Sequence, residues 1–266
     1  MSRFPRTVLG TVCLPWAEDG SLDEAVFRRT ITNLVARGLP DLYVFGTAGE
    51  GYAVTDTMFR RIALILAETM REAGGSPPIV GLVSLSLATM IERAQFCLAN
   101  GISTFQFTLP NWAATSDAEM KQVFAELCGR FPEAKFIHYN LMRSGRLVRP
   151  REYAELAERH PNLVGTKYGG GDPFMISGLM RHAPMLRHFL TEQGYYLGAP
   201  LGECALLTSI SSSNPARAHE YLQAGATGDT ARFTQHYREL CGVLHALLDA
   251  AGTSFIDGAY DKAIHR

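Results

Sequence analysis

Three side chains in this 266-residue chain have types and settings suited to carbonyl chemistry. The first is Lys167, which closes the apolar run LVGTK (163–167) and stands two residues before the first of three glycines. Only four of the 25 basic side chains are lysines, at 121, 135, 167 and 262. Arginine stays charged in proteins, whereas a buried lysine can release its proton and attack a carbonyl carbon. Leu163 and Val164 make an apolar setting that favours the neutral, nucleophilic amine. The ordinary alternative is a strand-end lysine that snorkels to water. Lys121 falls in an amphipathic helix pattern, Lys135 opens a strand, and Lys262 lies in the C-terminal tail.

Tyr139, in the strand-like run KFIHYN (135–140), is the second. A phenol beside Lys167 could relay protons to and from an imine and its carbinolamine, and an aromatic cap over a barrel core is the alternative. The third is Thr47 in GTAGEG (46–51). That turn offers a hydroxyl and successive backbone N–H groups, including those of Ala48 and Gly49, as a nest for a carboxylate. Glu50 is expected to brace the loop by hydrogen bonds to backbone amides.

Such groups need a scaffold that brings distant segments together, and the chain supplies an alternation. Strand-like runs occur at 8–14, 42–46, 78–84, 104–109, 135–140, 163–168, 186–191 and 206–211, each followed by enough chain for a helix. SLDE (21–24) and SDAE (116–119) read as capping boxes, Thr55 as an N-cap, and Gly101 as the stop after a helix reaching Asn100. Eight such units imply parallel strands and fit a (β/α)8 barrel better than an open doubly wound sheet. The first turn also lacks the GxGxxG of a dinucleotide-binding sheet. Residues 1–225 are expected to form the barrel and 226–266 a C-terminal helical extension, with helices at 228–250 and about 255–264. In such a barrel the chemistry sits at the C-terminal ends of the strands, where Thr47, Tyr139 and Lys167 all fall.

Composition narrows the classes. With 47% hydrophobic residues, 19% charged residues and a net charge of −1, the chain has no electrostatic footprint for nucleic acid or an acidic membrane surface. The N-terminus shows no signal-peptide pattern. Cysteines at 13, 97, 128, 204 and 241 are odd in number and widely spaced, as free thiols of a cytoplasmic protein would be. No HExxH or paired CxxC pattern of metal ligands occurs.

GTAGE after the second strand, HYN ending the fifth and GTK in the sixth resemble the dihydrodipicolinate synthase/N-acetylneuraminate lyase family in order and spacing. The resemblance implies a TIM barrel and a class I lyase or aldolase. Such an enzyme joins pyruvate or another 2-oxo acid to a lysine as a Schiff base and makes or breaks a C–C bond with an aldehyde. It implies no cofactor beyond that covalent imine, and a homodimer or homotetramer. Lys167 matches the imine-forming lysine, Tyr139 the proton-relaying tyrosine and Thr47 the hydroxyl at the carboxylate. Ala48 departs from the family's second hydroxyl residue. Trp112, in LPNW (109–112), stands where the synthases place a tyrosine near a subunit boundary, which counts against a true dihydrodipicolinate synthase and suits a larger or flatter aldehyde. Arg143 resembles an arginine that holds a second carboxylate, in a loop one residue shorter than usual. Between strands seven and eight, TEQGYYLGAPLGECALLTSIS (191–211) keeps the SIS piece but not the glycine-rich run before it. Loss of water from the same imine, giving a sugar-acid dehydratase, is a close variant. A non-catalytic member that binds a 2-oxo acid is the reading from another class.

Overall fold

The computed structural model describes residues 3–252 and 261–262. Its strands are β1 (Val8–Thr11), β2 (Leu42–Val44), β3 (Ile79–Gly81), β4 (Thr104–Phe107), β5 (Lys135–Asn140), β6 (Leu163–Tyr168), β7 (Arg187–Leu190) and β8 (Ala205–Leu207). Each pairs in parallel with the next, and β8 returns to β1, so the sheet closes in sequence order. Crossover helices α1 (Glu24–Ala36), α2 (Asp56–Glu72), α3 (Leu87–Ala99), α4 (Asp117–Phe124), α5 (Pro150–Arg159), α6 (Pro173–His182), α7 (Glu192–Gly198) and α8 (Pro215–Thr227) surround it. A long α9 (Thr230–Ala251) follows. The protein is a TIM barrel with an extra C-terminal helix. The expected boundary at 225/226 falls in the last turn of α8. Of the helix expected near 255–264, only residues 261–262 are described.

Parallel strands buried on both faces explain the near-continuous apolar runs in the sequence. Leu9, Tyr43, Ile79, Ile137, Val164, Phe189, Ala205 and Leu207 form an inner core, with Phe4 packed against it. A larger core of Leu, Ile, Val and Phe side chains fills the space between strands and helices.

One irregularity aims the chemistry. Leu163 lies opposite Phe136, yet Gly165 lies opposite the next residue, Ile137. Val164 is therefore the extra residue of a β-bulge, which re-phases β6. Val164 joins the inner core, and three residues on Lys167 also faces the barrel mouth instead of the helices. Gly165 makes this possible, because a Cβ there would lie 2.6 Å from the Arg187 carbonyl oxygen.

Helix starts follow local chemistry. Thr55, Ser86 and Ser116 cap their helices, and Ser116 forms the full box with Glu119. The SLDE box does not form. Asp23 is the N-cap, accepting from the Val26 N–H, while Ser21 bonds to Asp19 and Leu22 bridges back to Trp16. That local turn leaves Ser21 outside the helix. The eighth strand is also shorter than its expected span: Ser209–Ser212 turn into a 3-10 helix, and the Ser211 hydroxyl closes onto the Thr208 carbonyl at 2.7 Å.

Candidate active site

At the C-terminal mouth of the barrel lies a cavity of about 420 Å³, walled by the ends of β1, β2, β5, β6, β7 and β8. Lys167 reaches it from β6 and is only 3% exposed. Its Nζ donates to the Tyr43 hydroxyl at 2.9 Å and sits 4.3 Å from the Tyr43 ring centroid. The Tyr139 ring centroid is 3.8 Å away. Register explains the neighbours: Tyr139 lies directly opposite Lys167 on the adjacent β5. Gly46 keeps the space clear, since a Cβ there would stand 2.7 Å from the Tyr43 ring and 3.2 Å from Nζ.

Thr47 and Tyr139 meet across the mouth, with hydroxyl oxygens 3.4 Å apart. Ala48 lines the same wall, and Arg143 lines both this cavity and a small adjoining one of about 70 Å³. The loop bearing Arg143 is tied down by Asn140, whose side chain donates to the Val148 carbonyl and accepts from its N–H, both at 2.9 Å. Gly145 turns the loop at φ +68°. Gly49 does not line the cavity; a Cβ on it would lie 2.7 Å from the Phe45 backbone nitrogen, so it serves the turn.

Trp112 is not brought into this cavity. Leu109 anchors in the core, the chain then runs outward, and the indole stands 88% exposed. Glu50 braces its loop by side chains rather than by amides: it accepts from Trp16 Nε1 at 2.6 Å and pairs with Lys262 at 2.6 Å. Its backbone, like that of Phe45, takes a positive φ, a cost borne where the loop turns beside the cavity.

The wall residues Tyr43 and Asp261 escaped sequence reasoning, whereas Glu192 stands at a strand end where a barrel's chemistry is expected. Tyr43 read as one more apolar strand residue. Burial, and next the facing Tyr139, push its phenol well above the ordinary value of 10. Glu192 opens α7 and is buried with its carboxyl bonded to the Thr208 hydroxyl. Burial raises its pKa, and nearby Asp261 adds to the effect. Asp261 is itself buried in the wall, far in sequence from every strand that builds it. The signal for Tyr43 was present, as an aromatic hydroxyl on a strand whose neighbours are Leu and Val. No local pattern marked Asp261.

Fold and site together define a (β/α)8-barrel protein whose mouth presents a buried lysine flanked by two phenols. The model of the dihydrodipicolinate synthetase family matches residues 5–260, and the chain belongs to that family. It is 27% identical over 250 residues to 4-hydroxy-tetrahydrodipicolinate synthase of Salinibacter ruber, covering 91% of this chain and 80% of that one. It is 24% identical over 237 residues to trans-O-hydroxybenzylidenepyruvate hydratase-aldolase of Pseudomonas aeruginosa, covering 85% and 70%. A prophage protein of E. coli K12 from the same family, solved in complex with pyruvate, superposes with a TM-score of 0.88. That superposition covers 97% of this chain and 87% of the other at 18% identity, a likeness of fold.

Proposed function

We infer that the protein is a class I lyase that joins pyruvate or a similar 2-oxo acid to Lys167 as an imine and makes or breaks a C–C bond with an aldehyde. One observation carries the reading: a lysine 3% exposed, its amine at the mouth of a cavity beside two tyrosine rings. A charged ammonium is costly to bury, so such a site favours the neutral nucleophile. The family supports the same chemistry, and the relatives' names include both a synthase and a hydratase-aldolase.

In this mechanism the Nζ lone pair attacks the 2-oxo carbon and the carbonyl electron pair moves to oxygen, which takes a proton. Loss of that hydroxyl as water leaves a protonated imine, an electron sink for the neighbouring carbon. That carbon loses a proton, and the resulting enamine attacks the aldehyde carbon, forming the C–C bond as the aldehyde oxygen is protonated. Water then releases product and the free amine. Tyr139 carries protons to and from the acceptor oxygen, with Thr47 next in line at 3.4 Å. The Thr47–Ala48 segment holds the substrate carboxylate, and Arg143 faces the far end of the second substrate. The cavity of about 420 Å³ has room for both reactants. The exposed Trp112 contributes to such a pocket only across a subunit boundary, consistent with a homodimer or homotetramer, which light scattering would measure.

The test is pyruvate consumption with a panel of aromatic and sugar-derived aldehydes. Aldehyde-dependent consumption by the natural protein, abolished in Lys167→Ala, is the expected result. Equal consumption by Lys167→Ala would overturn the assignment.

A further inference from the structure

The mouth of the barrel holds a second phenol beside the reacting nitrogen, and the geometry points to Tyr43 as a further catalytic residue that moves the proton between Lys167 Nζ and the carbinolamine oxygen. The inference rests on the imine reading above and adds a role to it.

The two phenols near Lys167 meet it differently. Tyr139 lays its ring beside Nζ, with the centroid at 3.8 Å, and its hydroxyl reaches Thr47 at 3.4 Å. Tyr43 brings its hydroxyl to Nζ itself, accepting a hydrogen bond at 2.9 Å. Its position is fixed by the fold. β2 is held between β1 and β3, with Tyr43 in register with Thr11 and Ile79. The ring packs in the inner core, only 3% exposed, and Gly46 leaves the gap through which ring and amine meet. Among the described residues, the titratable groups facing the phenol are Lys167, Tyr139, Cys13 and Asp261. Burial keeps the phenol protonated, so it can accept one proton only while passing on its own.

That constraint fits one step of imine formation. When Nζ has attacked, nitrogen carries a surplus proton and the former carbonyl oxygen carries the electron pair of the broken π bond. The two atoms share a carbon, so a phenol bonded to the nitrogen closes a six-membered ring, N–H···Oη–H···O–C. Nitrogen gives its proton to Oη, and Oη gives its own to the carbinolamine oxygen. The phenol ends unchanged, and no external acid is needed. Tyr139 is left to serve the aldehyde oxygen.

The experiment measures the rate of borohydride-trappable imine formation with pyruvate, as a function of pH, in the natural protein and in Tyr43→Phe. Loss of a positioned acid–base group is expected to slow trapping on the order of 10²-fold. The acid limb of the profile should also move to lower pH, because the ammonium has lost an acceptor, a change that a purely structural role would not produce. A protein carrying difluorotyrosine at position 43 keeps the ring and hydroxyl but weakens the acceptor, and its acid limb should shift the same way. It serves where Tyr43→Phe fails to fold. Natural rates and an unmoved profile in either variant would overturn the role of Tyr43. Absence of trapping in the natural protein would overturn the imine reading itself, a distinct failure.

Discussion

At the scale of single residues, the account turns on where hydroxyls stand relative to one amine. Tyr139 and Thr47 sit 92 positions apart in sequence and 3.4 Å apart at the mouth. Removing the Tyr139 hydroxyl leaves the ring against Nζ, so Tyr139→Phe should still form the imine while aldehyde-dependent kcat falls about 10²- to 10⁴-fold. Steady-state kinetics beside single-turnover trapping would separate the two; an unchanged kcat would remove Tyr139 from the proton path. The convergence of Lys167, Tyr139 and Thr47 was legible in the sequence because each stands at or just past the end of a strand-like run, and strand ends converge in a barrel. Tyr43 was not, because its meaning depends on meeting Lys167 across the barrel, from β2 to β6, a contact that no local window contains. Trp112 stands 88% exposed on its own chain, because a residue's place in a motif does not say which way its loop runs.

At the scale of elements, the bulge in β6 is what turns Lys167 toward the axis. Alternation along a regular strand would place Val164 and Lys167, three apart, on opposite faces. The extra residue at Val164 lets both point inward. In Gly165→Ala a new Cβ would press on the Arg187 carbonyl from 2.6 Å, and neither backbone can give way without disturbing the β6–β7 pairing. The expected cost is about 1–3 kcal/mol, read from urea denaturation, with a larger loss of imine formation than Tm alone would suggest. A variant as stable and as active as the natural protein would show that the bulge does not aim the lysine. Strand order and helix caps were legible at this scale, since SDAE and Thr55 act through neighbours in sequence. The bulge, the short β8 and the failed SLDE cap depend on pairing or packing that no local window contains.

At the scale of the whole molecule, the barrel encloses groups that must stay uncharged. His138 and His188 are buried between the strands and the helices, on Tyr153 and on Thr166 with the Ala183 carbonyl respectively. Burial pushes their pKa values from 6.5 down to about 3 and about 4. Their folded values lie below the unfolded one, so the stability they lend is complete above about pH 6.5. It is lost as pH falls toward 4 and then 3, because only the unfolded chain takes up the protons. Thermal melts across pH 4–7 should show Tm dropping on the acid side. His188→Gln should flatten part of that slope, whereas an unchanged slope would assign acid sensitivity elsewhere. The alternation of eight units made the closed barrel readable from the sequence. The return of Asp261 to the wall and of Lys262 to Glu50 was not, because it joins the chain's far end to its second strand.

The measurement that bears most directly on the central claim is borohydride reduction of the intact protein in pyruvate, followed by peptide mass spectrometry. A single reduced pyruvyl adduct on Lys167, with Lys121, Lys135 and Lys262 unmodified, is the predicted result. A folded protein that carries no adduct with pyruvate or with longer 2-oxo acids, or carries it on another lysine, would contradict the account.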